Sequence, residues 1–177
     1  SSDFKFTSVY LETPPDSKEN YVTVYGNLNS KRAIRYIAAS NLSEDTLNKI
    51  SSYKLLVPNG IGGGEFGGKI TGTIVADKNS VATKTFKTIG AFNTVEEAAN
   101  MDKYLKTRFA RMLLSTKKIT QNTPIQMYEN IPAQDYKPSN KEIDWTSSVD
   151  DIDATLFKKY GFSKAEQTWV RENVLGM

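Results

Sequence analysis

The chain has 177 residues, with 38% apolar and 24% charged residues, a net charge of +3, and no cysteine or histidine. That is enough for one domain with a real core, in the composition of an ordinary globular protein. The missing Cys and His exclude disulfides, zinc sites built on either residue, Ser-His and Cys-His nucleophile systems and His-based nucleases, so any catalysis would rest on carboxylates, Lys, Tyr or Ser.

The N-terminal third predicts strands. Phe4–Glu12 alternates apolar and polar residues, "TPPDSKEN" reads as a loop, and Tyr21–Gly26 and Arg32–Ala39 read as strands around the turn "NLNSK". A short helix follows, with Ser43 as its cap and Leu42 and Leu47 placed for a hydrophobic staple. Tyr53–Pro58, Lys69–Asp77 and Val81–Gly90 are rich in strand-forming side chains. Val95 to about Lys117 predicts one long helix, opened by the capping box Thr94/Glu97. Ala98, Met101, Leu105, Phe109, Met112 and Leu113 form its apolar stripe. At 100° per residue, Lys103, Lys106, Arg111, Lys117 and Lys118 fall opposite that stripe, as a basic outer face, with Arg108 near its edge. A proline-bearing connection leads to two short helices, starting at Ser148 and Ser163, the first ended by Gly161.

These elements predict one α+β domain over 1–177: a mixed or antiparallel sheet packed by one long amphipathic helix, with residues 140–177 as a C-terminal helical tail. No window approaches 18 uninterrupted apolar residues, and the N-terminus lacks the pattern of a secretion signal. The chain starts without Met and reads as a fragment or a processed form.

The loudest motif is "PNGIGGGEFGGKITG" (58–72). Gly63, Gly68 and Lys69 fit most of a phosphate-binding loop, but Ile70 stands where Ser or Thr should bind magnesium. A strand, not a helix, is expected after it. The stretch therefore reads as a flexible connection between strands, with Lys69 available to a DNA phosphate. No adenine-methyltransferase motif is present: "TPPD" lacks both ends of [DN]-P-P-[YFW], and "EFGGK" fails the Phe-x-Gly-x-Gly pattern. Asp16, Glu65 and Lys69 can be strung together as a metal-dependent nuclease set, but the Glu–Lys spacing is wrong. Asp144, Asp150, Asp151 and Asp153 lack the glycine and final Glu of a calcium loop and read as helix caps and surface acids.

Charge is uneven. Lys84–Lys118 holds eight basic and three acidic residues, whereas Glu129–Met177 holds six and nine. Aromatic and basic residues interleave at Arg35-Tyr36, Tyr53-Lys54 and Lys84–Lys87. Gln121, Asn122 and Gln126, of a type that reads adenine, follow the basic helix.

From about Tyr53 onward the order "YKLLVPNG", "TKTFKTIGAFNTVEEAANMDKYLKTRFARMLL", "YENIPAQDY" and "IDWTSSVDDIDATLFKKYGFSKAEQTWVRENVLGM" resembles the C-terminal region of bacterial type II restriction-modification proteins with an adenine-specific DNA methyltransferase domain upstream. Ile143, Asp144, Trp145, Ile152, Asp153, Leu156, Phe157, Lys159, Tyr160, Phe162 and Ser163 occupy the places of that family's closing pattern. The resemblance implies a non-catalytic target-recognition region that grips double-stranded DNA in the cytoplasm. Methyltransferase or nuclease domains of the same protein would bring adenosylmethionine and magnesium, and no cofactor is expected in this chain. It implies no base-contacting residues, and packing roles for Trp145, Leu156, Tyr160 and Trp169. The expected phosphate contacts are Lys69, Lys84, Lys87, Lys103, Lys106, Arg111, Lys117 and Lys118, with the Gly60–Lys69 loop, Gln121, Asn122 and Gln126 toward base edges. A carboxylate/metal nuclease and a module docking to a methyltransferase subunit are the alternatives.

Overall fold

A computed structural model describes residues 9–16, 20–60, 65–116 and 125–177. Helices and sheets are both present, as an α+β chain requires, and the chain falls into two compact units. Unit 1 holds residues 1–58 and 74–95; unit 2 holds 59–73 and 96–177.

Unit 1 contains the sheets. β1 (Tyr21–Leu28) and β2 (Lys31–Ala38) form an antiparallel hairpin. Its two-residue turn, Asn29-Ser30, places both residues at positive φ, the pattern whose twist suits paired strands. β5 (Ser80–Ala82) lies parallel on β1, so this sheet is mixed, with order β2-β1-β5. The second sheet is antiparallel, order β4-β3-β6, from β3 (Tyr53–Pro58), β4 (Ile74–Ala76) and β6 (Phe86–Phe92). β1 serves two cores because its side chains alternate. Val22 and Val24 join Ile37 and Ile50, whereas Tyr25 packs against Leu56, Ala76 and Phe86. α1 (Glu44–Lys49) starts where expected: the Ser43 hydroxyl accepts from the Thr46 N–H, and Leu42 and Leu47 both pack on the Ile50 cluster.

The sequence predicts one sheet; there are two. The expected strand over 69–77 shrinks to Ile74–Ala76, and that over 81–90 becomes β5 and β6, separated at Thr83–Thr85. Of the Phe4–Glu12 strand, residues 4–8 lie outside the described residues, and Leu11 makes an isolated bridge to Tyr36.

Unit 2 is helical. The expected long helix is two: α2 (Val95–Lys106) and α3 (Arg108–Ser115), separated at Thr107, whose ψ is 150°. The break is stable because every orphan N–H of α3's first turn has a partner. The Thr107 hydroxyl accepts from Ala110 N–H, the Thr107 carbonyl accepts from Arg111 N–H, and the two Asp153 oxygens accept from Arg108 and Phe109 N–H, each at 2.8 Å. α4 (Val149–Lys159) and α5 (Lys164–Asn173) begin at the predicted caps, Ser148 and Ser163, the latter in a full capping box with Glu166. Gly161, at φ +70°, follows α4 in the left-handed conformation that closes helices. Phe109 stacks on Tyr160 at 4.8 Å and meets Phe157 and Phe162 edge-on. Trp145 and Leu156 are buried, as expected; Trp169 is not, standing 49% exposed and edge-on to Phe66.

A 3₁₀ segment, Ile125–Asn130, carries Tyr128, whose buried hydroxyl has no hydrogen-bond partner among the described residues. Burial pushes Tyr128 and Tyr136 up to about 12. A tyrosine raised in the folded state contributes stability that is fully present below its unfolded value of 10 and is lost as pH rises through 12. Tyr128→Phe removes both the unsatisfied hydroxyl and its titration. It is expected to raise stability by about 1 kcal/mol at neutral pH, with a wider advantage in the alkaline window. Urea unfolding in both ranges, followed by tryptophan fluorescence, checks this; a variant weaker than wild type at neutral pH contradicts it.

Candidate nucleic-acid interface

The predicted basic face of the long helix is not a free face. Lys103 Nζ donates to the Trp145 and Ser147 carbonyls at 2.7 and 3.1 Å, bracing the start of α4. Lys106 pairs with Asp102 at 2.6 Å, one turn earlier. Arg111 corrects the prediction outright: it is 1% exposed, and its guanidinium donates to the Lys106, Gly67 and Leu175 carbonyls at 3.1, 2.6 and 2.5 Å. The cause is the break at Thr107. An extended residue resets the helical phase, so counting 100° per residue from α2 misplaces Arg111, Met112 and Leu113, while Phe109 is buried as expected. Ala110, Arg111 and Leu114 turn inward, whereas Met112 and Leu113, expected in the stripe, are only partly buried. Arg108 holds Asp150 and donates to the Val174 carbonyl. Lys117, Lys118, Gln121 and Asn122 lie outside the described residues, as do 61–64 of the glycine loop.

The described end of the glycine loop belongs to unit 2 and is pinned there. Gly67 N–H donates to the Ser115 hydroxyl at 2.8 Å, and its carbonyl takes the Arg111 bond. Gly67 sits at φ +64°, and a Cβ there would lie 2.7 Å from both Val174 methyls, so glycine is required on two grounds. Ile70, the wrong letter of the phosphate motif, is 1% exposed: it is a core residue, with no hydroxyl for magnesium. Residues 71–73 lead to strand β4, so the helix N-terminus a phosphate needs is absent after the loop. Lys69 and Gln126 are exposed on unit 2. Among the described residues no three acidic groups cluster to hold a metal. Asp153, read as a cap or surface acid, caps α3 rather than its own helix, from a buried position. Burial pushes its carboxyl above the usual range, against the pull of the two N–H donors and of Arg108 and Arg111.

Unit 1 gathers a different set. It holds ten Lys and Arg against seven Asp and Glu, while unit 2 holds thirteen of each, so the whole net charge lies in unit 1. Residues 20–43 and 78–95 contain no carboxylate at all. They form β1, β2, β5 and β6 and carry Lys31, Arg32, Arg35, Lys78, Lys84 and Lys87. Lys84 is exposed at the turn before β6; Lys87, on β6, is half-buried, and burial lowers its pKa. Arg35 bonds Glu12 at 3.3 Å, and Lys78 Nζ lies 5.2 Å from the Tyr53 ring centroid. The Arg32 guanidinium lies 4.1 Å from the Phe86 ring centroid. Lys54, of the interleaved pair Tyr53-Lys54, is buried and donates to the Ser80 and Ile50 carbonyls at 2.9 and 3.1 Å. Its burial lowers its pKa.

Lys31 and Arg32 were missed by motif reasoning. The available signal was the run of 24 residues without an acid around them. Among the described residues no helix is long and apolar enough to cross a membrane. The chain matches no family model, no curated protein and no solved structure.

Proposed function

We propose that the chain is a DNA target-recognition region of a bacterial type II restriction-modification protein, acting on double-stranded DNA in the cytoplasm, with adenosylmethionine and magnesium handled by other domains. The observation that carries it is the acid-free cation set of β1, β2, β5 and β6 in unit 1. Strands that carry no carboxylate reduce like-charge repulsion toward phosphates, although Glu12 pairs with Arg35 of this set, and the aromatic neighbours suit nucleic acid. Lys31, Arg32, Lys84 and Lys87 are assigned the phosphate contacts; Lys69 and Gln126 remain candidates on unit 2. Lys103, Lys106 and Arg111 are assigned to holding unit 2 together. The resemblance in the closing residues supports the same reading, since Trp145, Ile152, Leu156 and Phe157 of that pattern are buried and Asp153 caps α3.

Anisotropy titration of a duplex of about 30 base pairs tests it. Four phosphate contacts predict a slope of log affinity on log salt of roughly −3 to −4, or about 100-fold weaker binding between 50 and 200 mM salt. Absence of duplex binding at low salt contradicts the reading. Half-exposed Trp169 against half-exposed Phe66 on unit 2 favours a second use, docking to the methyltransferase domain.

A further inference from the structure

Unit 1 contains a groove of about 500 Å³ lined by Tyr25, Arg32, Ala33, Ile34, Ile74 and Phe86. That size falls within the range of small-ligand sites. Its walls are hydrocarbon and aromatic ring, and among the described residues Arg32 is its only charged lining residue. Ile34 stays 44% exposed in this setting. Among the described residues no hydrogen bond or ion pair engages the Arg32 side chain, whose guanidinium lies over the Phe86 ring. Arg32 is an exposed residue, and the partial burial of its side chain lowers its pKa. A guanidinium has five N–H donors in a fork that matches phosphate oxygens. The strands around it, β1, β2, β4 and β6, carry no acid; Asp77, next after β4, acts on Tyr25 through its charge.

We propose that this groove is a nucleotide subsite: one base, unstacked from bound DNA, lies in the apolar groove beside Tyr25 and Ile34 while its phosphate takes the Arg32 fork. An apolar slot with one unpartnered cation at its side fits a ligand that joins a flat ring to an anion, and a nucleotide joins both. Aromatic groove walls take any base through its ring face. The choice of ligand class rests on the DNA reading above.

The test is an NMR titration of the full chain with deoxyadenosine and thymidine 5′-monophosphates, with the matching nucleosides and with inorganic phosphate. Both nucleotides are expected to shift the amide signals of Tyr25, Gly26, Arg32, Ala33, Ile34 and Phe86 saturably. Nucleoside alone and phosphate alone are expected to bind at least about tenfold more weakly. Arg32→Ala is expected to weaken nucleotide binding about tenfold or more, and Arg32→Gln, which keeps the length and loses the charge, to do the same with the fold preserved. Unshifted groove signals, phosphate binding as tightly as nucleotide, or unchanged affinity in Arg32→Gln overturns the subsite. Duplex binding without a groove response overturns the subsite and leaves the DNA reading. A groove response without duplex binding overturns the DNA reading and leaves a site for free nucleotides.

Discussion

Arg111→Ala is expected to destabilise unit 2 by about 3–5 kcal/mol, the range for removing one partner from a buried, hydrogen-bonded charge. Three backbone carbonyls, of Gly67, Lys106 and Leu175, lose their donor together. They come from the end of the glycine loop, the end of α2 and the C-terminal segment, so one fork ties three stretches of chain. Asp153 also loses a favourable neighbour, since the Arg111 charge lowers its pKa. Arg111→Lys keeps the charge but replaces the planar fork with one ammonium, and is expected to recover less than half of the loss. Both tryptophans, Trp145 and Trp169, lie in unit 2, so their fluorescence during urea unfolding reports this unit directly. A variant within 1 kcal/mol of wild type would place the guanidinium in solvent. It would also restore Arg111 to the list of DNA contacts.

Asp153→Ala is the second large effect, about 3 kcal/mol. Two amide donors at the start of α3 lose their acceptors: that of Phe109 is buried, where water does not replace the partner, and that of Arg108 is partly buried. Helix caps from a neighbouring hydroxyl typically contribute about 1 kcal/mol. This one is larger because it is charged, doubly bonded and buried. Asp153→Asn keeps one acceptor and turns an NH₂ toward the other donor, so it is expected to recover only part. The same urea series measures it. A loss below about 1 kcal/mol for Asp153→Ala would mean that Thr107 alone holds the break between α2 and α3.

The two variants mark where sequence reading stops. Ser43, Ser148 and Ser163 were legible as caps because acceptor and donor lie three residues apart. The β1–β2 hairpin was legible from two strand-like runs around a turn. The break at Thr107 was not, because the carboxylate that sustains it comes from a residue 45 positions away from Arg108. Missing the break carried Arg111 to the wrong side. The glycine loop was half legible: the apolar Ile70 argued correctly against a phosphate cradle, but the anchoring of Gly67 by Ser115 and Arg111 needs partners 48 and 44 residues on. The groove brings Arg32 of β2 beside Phe86 of β6, strands of two different sheets, a proximity invisible in any local window. The absence of acids in both segments was visible in the sequence, but that the two segments share one unit was not.

The central claim is that unit 1 cations hold DNA phosphates. The direct measurement is the salt dependence of duplex binding for wild type and for Lys84→Glu/Lys87→Glu, by anisotropy on the same duplex. Both residues lie in the acid-free stretch before and within β6. Losing two phosphate contacts predicts a slope shallower by about 1.8, with weaker binding at every salt concentration. An unchanged slope in a folded variant would contradict the claim and move the DNA contacts off this surface.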